Sequence, residues 1–210
     1  TMSHKTRILS ALWMIPMVVI VILYLQTTYP CAALDFVLLS GLYEWAALAH
    51  VQTTPAKLVF LLVNSILFFL IAYLDGEQHS TTINVTFFGG FFWLLSLLWL
   101  WKYNFARASN AINNNLKLFV GSLVNISLWS AIIWLHSSEQ GPIWTLIAIG
   151  VIAAADSGAY LFGVNFGKHK LAPNISPGKS WEGFWGGLFC AVLFALICML
   201  LLGSSVVYWK

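Results

Sequence analysis

The sequence predicts an all-α, polytopic transmembrane helix bundle of about seven spans with a cytoplasmic N-terminus. Three observations lead there. Of the 210 residues, 60% are apolar. Only 8% are charged, against about a quarter in an ordinary soluble domain, which is too few to coat a water-soluble globule. The apolar residues also fall in runs long enough to cross a bilayer rather than in short core-sized segments.

The runs are taken in order. The first, about 8–25, follows Lys5 and Arg7. It is longer than the roughly 7–15 residues of a signal-peptide core, and further runs follow it, so a retained span is expected. The others lie near 31–49, 58–74, 83–101, 118–135, 142–163 and 183–202. At ~1.5 Å rise per residue each matches a hydrocarbon core of ~30 Å. Runs two and three are the least typical, because Asp35 and Glu44 interrupt one and the other is short. Lys and Arg alternate strictly between successive connections: nine of the ten lie at the N-terminus, near Lys57, in 102–117 and in 164–182, and the tenth is Lys210. By the positive-inside rule those segments face the cytoplasm.

Several classes are excluded. A net charge of +3, scattered through loops, makes no stripe for nucleic acid. Cys31, Cys190 and Cys198 sit in apolar runs without CxxC spacing and the five histidines are isolated, so neither a disulfide framework nor a zinc site is expected. The polar stretch Asn110 to Asn115 reads as a solvated connector. Gly163/Gly167 and Gly183/Gly187 have GxxxG spacing, but among 15 glycines such matches carry little weight.

Ionisable groups inside spans are expensive and therefore candidates for chemistry. Glu44 and Asp156 both fall in the cytoplasmic halves of their runs, Asp156 roughly 10 Å from the end. Asp156 leads into the densest polar segment of the chain, where three lysines, two serines and four glycines lie between Gly163 and Gly183. Lysines supply charge, and hydroxyls and glycine-exposed amides supply donors, so the segment suits a phosphate ligand at the membrane surface. An ordinary basic loop touching lipid head groups is the plainer alternative. Gly178-Lys179-Ser180 is not a Walker A motif: the first glycine of that motif would fall at Pro173, and no strand is expected before the loop.

The joined string from Ala155-Asp156-Ser157-Gly158-Ala159-Tyr160 through Ser176-Pro177-Gly178-Lys179-Ser180-Trp181-Glu182-Gly183 resembles the central segment of the phosphatidate cytidylyltransferase (CDP-diacylglycerol synthase) family. About a dozen positions match in fixed order, and the likeness extends over essentially the whole chain, including a Glu-Trp pair ending the second run. The resemblance implies the reaction of CTP with phosphatidate to give CDP-diacylglycerol and pyrophosphate, with Mg²⁺, in phospholipid biosynthesis. Within that reaction the residues expected to be catalytic are Asp156, Lys179 and Glu182, and those expected to bind CTP are Lys168, Lys170, Ser176, Ser180 and Gly183. The family's metal-holding carboxylates belong to a signature that would lie beyond residue 210, so the resemblance implies a chain that stops ahead of its metal centre.

The expected organisation is one integral membrane domain over 1–210, with N-terminal helices over 1–140 and a partial cytidylyltransferase core over 141–210. Expected partners are CTP, phosphatidate and membrane lipids, with no nucleic acid and with a homodimer as a compatible assembly. The expected location is the bacterial inner (cytoplasmic) membrane. Two other functions stay open. A non-catalytic scaffold or transporter would be expected to show broken helices or paired repeats, which are absent from the sequence. A CTP-dependent lipid or polyprenol kinase would share a nucleotide loop, but the long Ser176 to Gly183 match argues against it.

Overall fold

A computed structural model describes residues 16, 18–24, 28–75, 79–101, 110–173 and 175–207. Most of the expected first span, with Lys5 and Arg7, lies outside the described residues. Seven helices are seen among them: α1 (18–24), α2 (Thr28–Leu48), α3 (Thr54–Leu74), α4 (Ser80–Trp101), α5 (Ala111–Ser137), α6 (Gly141–Phe166) and α7 (Trp181–Val207), with strands β1 (Lys170–Ala172) and β2 (Ser176–Ser180) between the last two. The chain divides into two compact units, Thr1–Ser138 and Glu139–Lys210.

This is an all-helical membrane architecture for a simple reason: hydrocarbon offers backbone groups no partner, so each spanning segment must satisfy its own. α3, α5, α6 and the Trp181–Leu202 part of α7 are each long and apolar enough to cross a membrane, with a shorter apolar helix over Ser80–Leu95. Their large apolar side chains, among them Phe69, Phe87, Leu200 and Leu201, lie exposed where lipid would be the solvent.

In the first unit α2, α3 and α5 pack together and α4 lies against α5. Leu38, Leu42, Phe68 and Trp129 form the core. The rings of Phe68 and Trp129 stack at 5.4 Å between centroids. The Trp129 indole N–H donates to the Asp35 carboxylate, which gives the unusual acid of the second run a partner inside the protein. Nearer the other end of α2, Trp45 donates to the Lys117 carbonyl at 2.8 Å and lies over Gly121, where a Cβ would clash with its indole. Glu44 beside it is exposed.

The expected connector Asn110 to Asn115 is corrected by the structure. Asn110 is an N-cap whose side chain accepts from Asn113 N–H at 2.8 Å, and the residues after it form the first turn of α5. Asn is poor inside a helix and good at its start, because its short side chain can satisfy an otherwise orphaned backbone N–H.

Asp75 organises the junction of α3 and α4. Its carboxylate accepts from the Thr82 backbone N–H at 3.0 Å and its hydroxyl at 3.1 Å, and pairs with His79 Nδ1 at 2.8 Å. Burial pushes its pKa up, but these hydrogen bonds outweigh burial and hold it below the ordinary 3.8. A carboxyl depressed in the folded state stabilises above its unfolded value and loses that contribution as pH falls through its folded one. Thermal melts of the detergent-solubilised protein are therefore expected to show an acid decline below about pH 4 that Asp75→Asn flattens, with a lower Tm for the variant at neutral pH.

Candidate functional site

The second unit is a helical pair with a β-hairpin between its helices. Gly150 meets Phe194, Gly158 meets Cys190, and Gly163 meets Gly183, so α6 and α7 run antiparallel along a shared seam. The seam is made of small residues. A Cβ at Gly183 would lie 2.8 Å from the Ala159 carbonyl oxygen, and one at Gly187 2.8 Å from that of Ala155. The opposing atoms are helix backbone and cannot swing aside, so glycine is what permits the approach. The Gly183/Gly187 spacing, given little weight from the sequence, is thus a packing motif. Gly163 shares the seam, and Gly167 lies just past the end of α6, its N–H donating to the Gly163 carbonyl at 3.1 Å.

The chain leaves α6 through Lys168 and His169 and forms an antiparallel pair in which Lys170 faces Ser180 and Ala172 faces Ser176. No strand was expected here. One forms because Pro173 and the turn closed by Ile175 N–H to the Ala172 carbonyl at 3.1 Å fold the segment back on itself. The Walker A comparison still fails, since Gly178-Lys179-Ser180 is part of strand β2 and not of a loop wrapped around phosphates.

The base of the hairpin is clamped to α7. Ser180, 5% exposed, caps the helix by accepting from Gly183 N–H at 3.1 Å. Trp181 N–H donates to the His169 carbonyl at 2.9 Å. The Glu182 carboxylate accepts from the His169 backbone N–H at 3.2 Å and from His169 Nδ1 at 2.7 Å. Trp181, Phe184 and Trp185 form an exposed edge-to-face series on the first turns of α7, the kind of aromatic group that settles at a membrane–water interface.

The candidate residues therefore divide. Lys168, Lys170 and Lys179 are all exposed on or beside the hairpin, and Ser176 is half-buried at the start of β2. Ser180, Glu182 and Gly183 each have a packing or bonding task at its base. Asp156 is exposed on α6 and the structure draws no bond from it to a lysine among the described residues. α6 also continues to Phe166, which puts Asp156 further from the helix end than expected. His169 was missed: Glu182 is 13 positions away in sequence, and only the hairpin brings them together. Cys190 and Cys198 are free thiols.

No group of three or more His, Cys, Asp or Glu that could hold a metal occurs among the described residues. In the second unit Glu182 is already engaged by His169, so these residues do not furnish a Mg²⁺ cage.

The chain matches the model of the Cytidylyltransferase family over residues 5–210. It is similar to the phosphatidate cytidylyltransferase of Haemophilus influenzae, 31% identical over 92% of this chain and 72% of that protein. It is 28% identical to the phosphatidate cytidylyltransferase of Pseudomonas aeruginosa over 88% of this chain and 66% of that one. A 74-residue stretch is 43% identical to the same enzyme of Staphylococcus saprophyticus, covering 35% of this chain and 28% of that one. The chain thus spans about two-thirds to seven-tenths of the longer relatives' lengths.

Proposed function

This chain belongs to the cytidylyltransferase family, as an integral membrane nucleotidyltransferase of CDP-diacylglycerol synthesis, and from that membership we propose that its hairpin between α6 and α7 binds CTP beside phosphatidate. The observation that supports this reading most is the exposure of Lys168, Lys170 and Lys179 on one short hairpin clamped at its base.

In the proposed reaction a phosphate oxygen of phosphatidate attacks the α-phosphorus of CTP and pyrophosphate leaves. Such a transfer needs alignment of two anions and neutralisation of charge on the leaving group more than covalent help. Lys179 takes the triphosphate, supported by Lys168 and Lys170. The Ser176 hydroxyl donates, and Ser180 and Gly183 fix the start of α7 under the ligand. Asp156 is the open carboxylate of α6, and Glu182 holds the loop. Mg²⁺ would arrive with the triphosphate and would offset its charge, since no group of three or more His, Cys, Asp or Glu among the described residues is arranged to hold it.

The hairpin faces the cytoplasm, as the lysine distribution favours, and the membrane is the bacterial inner one. A homodimer within the bilayer completes the proposal, and nucleic acid has no part in it.

CTP binding to the solubilised chain tests the core of this reading. Lys179→Ala is expected to weaken binding at least about 10-fold, the loss of a charge-assisted contact of about 1.5–3 kcal/mol. Equal affinity in wild type and variant would sink the assignment of the hairpin to CTP.

A further inference from the structure

Three polar groups of His169 are committed, the backbone carbonyl to Trp181 N–H and two others to one carboxylate, and its ring Nε2 has no partner among the described residues. Its backbone N–H and ring Nδ1 reach the same carboxylate, that of Glu182. An ionised carboxylate only accepts, so Nδ1 carries the proton and, in the neutral ring, Nε2 carries the lone pair. The ring is nevertheless 80% exposed, against 25% for Glu182, so Nε2 is held at a defined place yet open to a ligand. Glu182 on α7 is the charged group in contact with the ring, and the same hairpin carries Lys168 and Lys170 on either side of His169 in the chain and Lys179 on β2 next to Ser180, the strand partner of Lys170. Three cations and one engaged carboxylate favour an anion at this place.

The lipid substrate named above is a phosphomonoester, whose second ionisation lies at about pH 6. Near neutral pH part of it carries a proton that must leave before the oxygen is a full nucleophile. Imidazole exchanges protons in that range. We propose that His169 is a catalytic proton acceptor for the lipid phosphate, with Glu182 the positioning residue that orients its ring; the inference rests on the reading of the hairpin as the transfer site. In the step, the P–OH of monoanionic phosphatidate gives its proton to Nε2. The freed oxygen forms a bond to the α-phosphorus of CTP, and the bond from that phosphorus to the bridging oxygen breaks. Pyrophosphate leaves with that electron pair, and the imidazolium returns its proton to water.

The test uses the whole chain labelled with ¹⁵N-histidine in nanodiscs of zwitterionic lipid, with His169→Gln to identify the signals. The Nδ1–H tautomer is expected in wild type and in Glu182→Gln, whose side-chain oxygen still accepts, and its loss is expected in Glu182→Ala. Dihexanoyl phosphatidate is expected to move the Nε2 signal towards the protonated position. Dihexanoyl phosphatidylcholine, a phosphodiester with no proton to give, is expected to leave it in place. An Nε2 signal indifferent to dihexanoyl phosphatidate, or a wild-type neutral ring protonated on Nε2, overturns the proposal even where Glu182→Ala fails to fold. CTP binding on the same samples separates the two readings. Lys179-independent binding with an intact His169 response overturns the reading of the hairpin as the CTP site and the transfer step with it, whereas Lys179-dependent binding with no response keeps CTP and overturns His169 alone.

Discussion

Gly187→Leu is expected to separate α6 from α7. A Cβ at that position already lies 2.8 Å from the Ala155 carbonyl oxygen and 3.1 Å from Ala159 Cβ, and leucine adds three more carbons behind it. Overpacking of this kind costs about 1–3 kcal/mol where side chains can give way. Here a helix backbone opposes it, so the upper end or more is expected. The readouts are a fall in Tm of the solubilised protein and faster reaction of Cys190 with a membrane-permeant thiol reagent in a Cys31→Ser, Cys198→Ser background, because Cys190 lies against Gly158 in the same seam. CTP binding is expected to fall with it, since the hairpin's base rests on these helices. Gly41→Leu is the matched control: nothing lies within 4 Å of a Cβ there, and little change is expected. Equal behaviour of the two variants would show that the seam is not close-packed.

Trp129→Ala is expected to have the next largest effect. It removes the ring stacked on Phe68 and the donor to Asp35 together. Large aromatic truncations in a core cost about 3–5 kcal/mol, and hydrogen bonds between membrane helices average about 0.6 kcal/mol with a maximum near 1.7. Packing is therefore expected to dominate. Trp129→Phe keeps most of the ring and loses the N–H, so it should cost about 1–2 kcal/mol through the unpaired acid. Adding Asp35→Leu should recover part of that loss. Reversible unfolding in mixed micelles measures the cycle, and strictly additive single effects would mean the bond contributes nothing.

Much of the helical scaffold was legible because the bilayer constrains it so strongly. The runs near 58–74, 118–135, 142–163 and 183–202 each lie within an observed helix, and the structure extends them mainly at their ends. Those extensions were hidden because capping groups are polar and look like loop: Thr53 and Pro55 at the start of α3, Asn110 before α5, Ser180 before α7. The importance of Gly183/Gly187 was hidden for another reason. Spacing shows that two glycines share a helix face, but it cannot say whether a second backbone approaches that face.

The family and the segment that carries it were both legible in the order of residues from Asp156 to Gly183, as was the concentration of lysines there. What those residues do to one another was not. The sequence by itself determined a membrane solvent, helices that satisfy their own backbone, and a basic polar segment suited to phosphate, because composition and run length act through local physics. The tertiary structure alone decided that Asp35 meets Trp129, that glycine lets α7 lie against α6, and that Glu182 takes hold of His169. Contacts between distant positions depend on how the chain doubles back, and no residue carries that information singly.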